Sequence, residues 1–296
     1  MFTLKDVTIL KDKKALGNLP KGKLLINTIN AHSYNTALKD DLFAEALTKG
    51  DVLIPDGASI VKACRWLKAK TQPTERIAGW DLFVHEMEKI NGNDNDNGND
   101  NFNDNVNGND NDNDNGNDNF NGNGNFNGNG NGNDNGNFNG NGNDCTERKG
   151  RVMFMGSSEK VLALIKERAA KDYPNIEVLT YSPPYKPIFT EEDNRAILEA
   201  INKAEPDLLW IGMTAPKQEK WTYEHWSELD IHCHVGTIGA VFDFYAGTVK
   251  RAPIWWQNHG LEWLYRLLKE PRRMWRRYII GNTLFLWNIS KEKWRK

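Results

Sequence analysis

Cysteine is scarce in this chain. Its 296 residues include three Cys, which are scattered at positions 64, 145 and 233. The odd number and the absence of a Cys-x-x-Cys pair argue against a disulfide framework. In an extended segment His232 and His234 would point to one face and Cys233 to the other, with no further ligand nearby in the sequence. We therefore expect a reducing compartment, no metal and no cofactor.

Long apolar runs are also missing. No run reaches the roughly 18 apolar residues that span a bilayer, and the charged start of the chain does not resemble a signal peptide. The first predicted strand is not followed by Gly-x-Gly-x-x-Gly, and the chain lacks the P-loop pattern ending in Gly-Lys-Ser/Thr. Neither a dinucleotide-binding fold nor a P-loop NTPase is therefore supported.

A strict dipeptide repeat occupies residues 91–144. Asn fills every odd position up to 143, and the even positions hold twelve Gly, ten Asp, four Phe and one Val. Because the repeat offers almost no apolar surface, we expect a disordered, exposed loop insertion. A calcium-binding β-roll would need a nonapeptide period with an apolar residue in each turn, and this period is much shorter.

Positive charge and tryptophan are concentrated at the end of the chain. Residues 250–296 contain twelve Lys or Arg against three Glu, and six of the eleven Trp. Cationic heads beside Trp are typical of a segment that lies on an anionic membrane surface. The competing interpretation is a tail that packs on its own domain and exposes a basic face. The rest of the chain, without the repeat, is near neutral, which argues against a nucleic-acid partner.

Apolar runs alternate with segments of helical periodicity along the remaining chain. This alternation predicts an α/β fold, with a mostly parallel Rossmann-like sheet and helices on both faces. We predict a body over residues 1–252, which carries the repeat as an insertion, and a basic, aromatic, helical appendage over residues 253–296. The predicted strands are 23–29, 51–54, 151–155, 176–181, 207–212 and 232–235, and the main helices are 34–48, 58–68, 80–90, 160–171, 191–203 and 216–226.

Polar residues and glycines follow these strands, at the edge where α/β sheets bind ligands. Asp56 follows the second strand, and it could instead simply cap the next helix. Thr28 and Asn30 end the first strand, where turn hydrogen bonding is the competing role. Lys217 and Gln218 open a helix after the fifth strand, and a Lys in that position suggests that it meets an anion.

Six segments resemble the WecG/TagA/CpsF family of glycosyltransferases. They are INTINAHSYNTA (26–37), LIPDGASIV (53–61), RIAGWDLF (76–83), GMTAPKQEKW (212–221), GAVFDFYAGTVKRAP (239–253) and GLEWLYRLLKEPRRMWRRYIIGN (260–282). The resemblance implies transfer of a sugar from a nucleotide-sugar donor, typically UDP-N-acetylmannosamine. It implies a polyprenyl-diphosphate-linked sugar acceptor, and a cytoplasmic enzyme that is peripheral on the inner face of the cell membrane.

The resemblance also implies roles for individual residues. Asp56 corresponds to the general base, and Thr28 and Asn30 line the same pocket. Arg76 contacts the acceptor or its diphosphate, and Gln218 lies near the sugar or the nucleotide. The arginines of the appendage, which close over the site, correspond to Arg266, Arg273, Arg276 and Arg277.

The residues support this chemistry independently. Glycosyl transfer needs a base for the acceptor proton and positive charge for the leaving diphosphate. Arginines and Lys217 can hold a diphosphate directly, and every Asp-x-Asp lies inside the repeat, so we expect an inverting, metal-independent transferase. The alternatives are a relative that uses UDP-glucose or an N-acetylmannosaminuronate donor, and a non-catalytic protein that binds nucleotide sugars or polyprenyl phosphates. A homo-oligomer remains possible.

Overall fold

Six short strands of the described chain form one sheet, in which every neighbouring pair is parallel. The structure, a computed structural model, describes residues 2–92, 148–253, 255–256 and 261–295, and the side chains of residues 273 and 277 lie outside this description. The strand order is β2-β1-β6-β5-β3-β4. The predicted Rossmann-like α/β fold is confirmed. The strands are β1 (Leu24–Ile29), β2 (Val52–Pro55), β3 (Gly150–Gly156), β4 (Ile176–Tyr181), β5 (Leu208–Gly212) and β6 (His234–Thr237).

Helices connect the strands and complete the chain. A short 3-10 helix (Lys13–Leu16) precedes β1, and a π-helical turn (Arg276–Ile280) joins the last two α-helices. None of the described helices combines the length and the apolar character needed to cross a bilayer. The α-helices are α1 (Ala31–Ala37), α2 (Asp41–Lys49), α3 (Ala58–Leu67), α4 (Gly79–Ile90), α5 (Glu159–Asp172), α6 (Glu191–Ala204), α7 (Lys217–Glu224), α8 (Gly239–Tyr245), α9 (Glu262–Lys269), α10 (Pro271–Trp275) and α11 (Gly281–Trp294).

Three elements differ from the sequence prediction. The helix predicted over 34–48 is two helices, because the Asp40 carboxylate accepts a hydrogen bond from the Phe43 N–H at 3.0 Å and starts α2 there. The strand predicted over 232–235 lies two residues later, since His234 is the first residue to pair with both β1 and β5. Helix α8 was not predicted, and it buries Val241, Phe242 and Tyr245.

Both faces of the sheet are covered, as a parallel sheet requires. Successive side chains of β3 point to opposite faces: Val152 and Phe154 pack with α4, α5 and α8, whereas Met153 and Met155 pack with α6 and α7. A third cluster joins α1, α2 and α3 to the end of β1 and to α11. The described residues other than Arg148 belong to one compact unit.

A buried ion pair lies at the amino end of the sheet, opposite the ligand-binding edge. His234 Nδ1 is 3.0 Å from the Glu86 carboxylate, and His234 Nε2 is 2.8 Å from the Pro20 carbonyl oxygen. Burial lowers the pKa of His234, but the neighbouring Glu86 carboxylate and the Pro20 carbonyl outweigh it, and the pKa is raised. The protonated imidazole therefore stabilises the fold, and this contribution is lost as the pH rises above that raised pKa.

The last helix is part of the core. Phe285 and Ile289 of α11 are each 2% exposed, and the Phe285 ring meets the Tyr34 ring edge-on at 5.3 Å. Tyr34 Oη donates to Glu292 Oε2 at 2.6 Å, and Asn35 Nδ2 donates to the Gly281 carbonyl at 2.7 Å. The appendage boundary at residue 253 stays a prediction, but α11 is anchored on α1 rather than only laid over the body.

The anchoring of α11 predicts unequal effects for two adjacent substitutions. Phe285→Ala should lower the free energy of unfolding by about 3 kcal/mol, because it removes a buried ring from the core. Leu286→Ala, at a side chain that is 65% exposed, should change it by less than about 0.5 kcal/mol. Urea unfolding followed by far-ultraviolet circular dichroism measures both, and equal values would contradict the described packing.

Candidate active site

Asp56 lies immediately beyond β2, at the carboxyl edge of the sheet. Its backbone N–H donates to the Ile29 carbonyl at 2.9 Å, which holds it beside the end of β1. A Cβ added to Gly57 would lie 3.7 Å from Asn30 Cβ, so the two loops are in contact. Helix α3 is capped by Gly57 without a side-chain hydrogen bond. The Asp56 carboxylate is therefore not used as the helix cap, and it remains available for chemistry.

Arg76 is fixed close to Asp56 by the backbone that follows it. Ile77 N–H donates to the Pro55 carbonyl at 3.0 Å, which ties this loop to the end of β2. The Arg76 guanidinium Nη1 donates to Glu262 Oε2 at 3.2 Å. A residue of the C-terminal segment thus reaches the edge of the sheet where Asp56 lies.

Arg251 approaches the Glu262 carboxylate from the loop after α8. Its Nε is 3.9 Å from Glu262 Oε1, and its guanidinium carbon lies 5.2 Å from the centre of the Trp80 ring. The side chains of Arg76, Arg251 and Glu262 are 23%, 19% and 17% exposed. Water screens such partly buried charges less than it screens surface charges. The charge cluster of Arg76, Arg251 and Glu262 therefore acts on the neighbouring Asp56 carboxylate.

Burial and the neighbouring charges together set the ionisation of Asp56. Burial raises the pKa of Asp56 to about 6, and the carboxylates of Glu262 and Asp81 also raise it, against the lowering effect of Arg76 and Arg251. Asp81 itself forms an ion pair with Lys13, in which Lys13 Nζ lies 3.1 Å from Asp81 Oδ1. A carboxylate with this pKa is ionised at neutral pH and is a much better proton acceptor than an ordinary Asp.

Thr28 and Asn30 lie at the same edge. Thr28 is partly exposed and pairs with Ile54 across the β1–β2 ladder. Asn30 Oδ1 accepts hydrogen bonds from the backbone N–H groups of His32 and Ser33, both at 3.0 Å, so Asn30 caps α1. The amide nitrogen of Asn30 is the part of this side chain that a ligand would meet, and its contact with substrate stays a prediction.

Gln218 is buried, and its side-chain amide is hydrogen-bonded to residues that follow β5 and β6 and to its neighbour in α7. Its Oε1 accepts from the backbone N–H groups of Met213 and Gly239, at 3.2 and 3.1 Å, and its Nε2 donates to Glu219 Oε1 at 2.9 Å. A Cβ at Gly239 would lie 2.2 Å from the Met213 carbonyl oxygen, so only glycine permits this approach. Gln218 therefore holds together the segments that follow β5 and β6. Its contact with substrate stays a prediction.

Glu219 supports Gln218 from the interior and was not identified from the sequence. It is 2% exposed, and its second oxygen, Oε2, has no hydrogen-bond partner among the described residues. Burial raises the pKa of Glu219 to about 7. The motif APKQEKW does not reveal that Glu219 is buried, because a Glu in the first turn of a helix is usually exposed.

Lys217 contacts the segment before α6. Its Nζ lies 3.3 Å from the centre of the Phe189 ring and donates to the Lys186 carbonyl. It borders a cavity of about 340 Å³ between α7 and the segment before α6. Among the predicted site residues that the structure describes, Lys217 alone lines this cavity. The cavity is lined by Pro187, Ile188, Phe189, Asn194, Pro216, Lys217, Lys220, Trp221, Glu224 and His225.

The predicted arginines of the appendage divide into three cases. The Arg266 guanidinium stacks over the Phe244 ring of α8 at 5.3 Å, so it helps to seat α9 on the body. Arg276 is exposed and lies over the Trp275 ring at 5.4 Å. The side chains of Arg273 and Arg277 lie outside the described residues. The substrate contacts of all four stay predictions.

Comparison with known proteins identifies the family. The sequence model of the glycosyl transferase WecG/TagA/CpsF family matches residues 8–96 and 142–296. The N-acetylglucosaminyldiphosphoundecaprenol N-acetyl-beta-D-mannosaminyltransferase of Bacillus spizizenii is 26% identical over 259 residues, which are 88% of this chain and 76% of that protein. The protein of the same name from Bacillus subtilis is 24% identical over 272 residues, which are 92% of this chain and 81% of that protein.

The chain belongs to the WecG/TagA/CpsF family. It is a glycosyltransferase, and the family match excludes most of the Asn repeat. In this WecG/TagA/CpsF enzyme the two residues that complete the charge cluster, Arg251 and Glu262, were missed by sequence reasoning. Both lie in motifs that carry the resemblance, but neither follows a strand, so strand ends alone could not reveal them.

The buried Glu219 predicts an unusual pH dependence of stability. Its folded pKa of about 7 lies above the ordinary 4.5, so folding favours the protonated form, and stability falls as the pH rises through this interval. Linkage sets the penalty at about 3 kcal/mol at pH 8. Glu219→Gln keeps an oxygen for Gln218 and removes the charge, so its melting temperature relative to wild type should rise from pH 5 to pH 8.

The control for this comparison is Glu224→Gln, which removes an exposed carboxylate from the same helix. Its melting temperature should stay parallel to that of wild type across the pH range. Scanning calorimetry measures all three proteins. A constant difference between Glu219→Gln and wild type would show that Glu219 is not ionised at a cost in the folded protein.

Proposed function

We propose that this glycosyltransferase transfers N-acetylmannosamine from UDP-N-acetylmannosamine to an N-acetylglucosamine carried on a polyprenyl diphosphate. The acceptor and the transferred sugar are those in the names of its two Bacillus relatives, and UDP as the carrier of the sugar comes from the family resemblance. The observation that carries the proposal is Asp56, a carboxylate of raised pKa beside Arg76 and Arg251 at the carboxyl edge of a parallel sheet. These groups are the proton acceptor and the cations that transfer from a nucleotide diphosphate requires.

The reaction that we propose is a direct, inverting displacement, which this arrangement supports. The acceptor hydroxyl oxygen attacks the anomeric carbon while the Asp56 carboxylate takes the hydroxyl proton. The bond from the anomeric carbon to the diphosphate oxygen breaks, and its electron pair leaves with UDP. Arginine guanidinium groups meet the charge that develops on the leaving diphosphate without the help of a metal.

The strand order supports one position for the donor. The chain leaves β3 towards β4 on one side and leaves β5 towards β6 on the other, so the crevice between the ends of β3 and β5 is a topological switch point. Ser157, just after β3, has a positive φ of 57°. Strand spacing puts this crevice roughly 17 Å from the end of β2. We infer that the nucleotide lies near the crevice and that its sugar extends towards Asp56.

Asp56→Asn tests the assigned base. The amide is nearly isosteric but cannot accept the proton, so turnover should fall by roughly 10²–10⁴-fold while UDP binding persists. The assay uses a short-chain, water-soluble N-acetylglucosaminyl diphosphate lipid, with UDP-N-acetylmannosamine, UDP-N-acetylglucosamine and UDP-glucose as donors. UDP release and product mass give the rate and the donor, and titration calorimetry gives UDP affinity.

The matched control is Asp41→Asn, which changes an exposed Asp in the first turn of α2 and should leave the rate unaltered. Asp56→Asn with wild-type turnover would remove the assignment of the base. Faster transfer from another donor would correct the proposed sugar. Binding of nucleotide sugars without UDP release from any donor would instead support a non-catalytic binding protein.

We also propose that the C-terminal segment places the enzyme on an anionic membrane surface. The described part of this segment exposes large apolar side chains next to lysines and arginines: Trp287 is 60% exposed, Trp294 82% and Leu286 65%. Lys291 Nζ lies 5.0 Å from the centre of the Trp287 ring. Each cation near an anionic leaflet contributes about 1 kcal/mol, which salt screens.

Vesicle co-sedimentation tests this surface. Binding should rise with the fraction of phosphatidylglycerol in phosphatidylcholine vesicles and weaken as salt is added. Trp287→Ala with Trp294→Ala should weaken it by at least about tenfold, because two rings no longer enter the interface. Tyr185→Ala, which changes a fully exposed ring outside the segment, serves as the control. Equal binding to neutral and anionic vesicles at low salt would exclude the electrostatic contribution.

A further inference from the structure

Helix α9 is held on the body without burying any side chain. The contacts that seat it are polar or stacked: Glu262 pairs with Arg76 and approaches Arg251, and Arg266 stacks on Phe244. The apolar side chains of α9 are at most partly buried. The ion pairs of Glu262 supply the contact that places the first residue of α9 against the active-site edge.

Two guanidinium groups converge on this one carboxylate from distant parts of the chain. Arg76 uses one oxygen of Glu262 at 3.2 Å and Arg251 approaches the other at 3.9 Å. Without an anion between them, two partly buried cations would repel and separate. The Trp80 ring restricts Arg251 from another side. Glu262 thus fixes a pair of cations in advance of any substrate.

We propose that Glu262 is a positioning residue, which holds Arg76 and Arg251 side by side next to Asp56, and that Arg251 is a second cation for the diphosphate of the substrate. This inference rests on the proposed function, since it assigns the diphosphate to a site of sugar transfer. Preorganised cations stabilise the charge that develops on a leaving diphosphate without reorganising during the reaction. Glu262 touches no reacting atom, and its effect passes through the two arginines.

The arrangement gives Glu262 and Arg251 opposite electrostatic effects on the base. Glu262 raises the pKa of Asp56 and Arg251 lowers it. The other charged groups that act on Asp56 are Asp81, which raises its pKa, and Arg76, which lowers it, with Lys13 paired to Asp81. Asp81 and its partner Lys13 form no ion pair with Glu262 or Arg251 among the described contacts, so both remain when either residue is changed alone. A merely structural role would not produce shifts of opposite sign.

The experiment compares the pH dependence of transfer by wild type, Glu262→Gln and Arg251→Gln. The acidic limb reports the ionisation of the base. It should move to lower pH in Glu262→Gln and to higher pH in Arg251→Gln, and it should lie between these two in the double variant. Misplacing the arginines should also lower kcat/KM of Glu262→Gln by roughly 10- to 100-fold on the alkaline plateau.

The control is Glu270→Gln, which removes a carboxylate just beyond the other end of α9 and should leave the acidic limb in place. Circular dichroism confirms that each variant is folded. Shifts of opposite sign, together with the lowered kcat/KM of Glu262→Gln, support the proposal. Acidic limbs that coincide with wild type in both variants, or that move in the same direction, overturn the positioning role.

Two further readouts separate this inference from the proposed function. Carbon-13 NMR titration of labelled Asp carboxyl groups, with Asp56 assigned from Asp56→Asn, follows the base without turnover. If no donor is used, the proposed function fails, and the same opposite shifts in this titration still support the positioning role. Calorimetric titration with inorganic pyrophosphate tests Arg251: affinity reduced at least about fivefold in Arg251→Gln supports a diphosphate contact, and unchanged affinity overturns it.

Discussion

The pairing of β1 with β2 determines the position of the reactive carboxylate. Their register sets Ile29 against Pro55, and one further hydrogen bond, from Asp56 N–H to the Ile29 carbonyl at 2.9 Å, continues the contact beyond the ladder. Because side chains alternate along a strand, a slip of one residue would turn Asp56 to the other face of the sheet. The positions of Asn30, Arg76 and Glu262 relative to the base all depend on this register.

Three buried or partly buried ionisable groups make the fold less stable as the pH rises. Asp56 and Glu219 have pKa values raised to about 6 and about 7, so their ionised forms are disfavoured by folding. The stabilising protonation of His234 is lost above its raised pKa. Only Asp56 lies at the predicted site of chemistry, where a destabilised carboxylate is an effective base. Glu219 and His234 instead orient the buried polar groups that they contact, Gln218 and Glu86.

Sequence reasoning identified the features that local patterns encode. Each predicted strand is present, since apolar runs bounded by Gly, Pro or Asp are a local signal, and Asp56 follows its strand as expected. The pairing of Arg76 with Glu262 joins residues 186 positions apart, and no local pattern reveals it. Gln218 was chosen as a substrate ligand, but its use as a backbone brace depends on how closely Gly239 approaches Met213. Such contacts are set by tertiary packing.

The C-terminal segment is attached in two physically different ways, and this decides how its role can be separated from stability. Helix α11 buries Phe285 and Ile289 in a core cluster, whereas α9 buries no side chain and is held by ion pairs and stacking. Removing the chain after residue 252 would delete both kinds of contact and open the core beside Tyr34. Loss of activity on truncation would therefore not distinguish a missing arginine from a damaged fold. Single substitutions in α9 leave the core contacts of α11 intact, and their effects can be assigned to the active site.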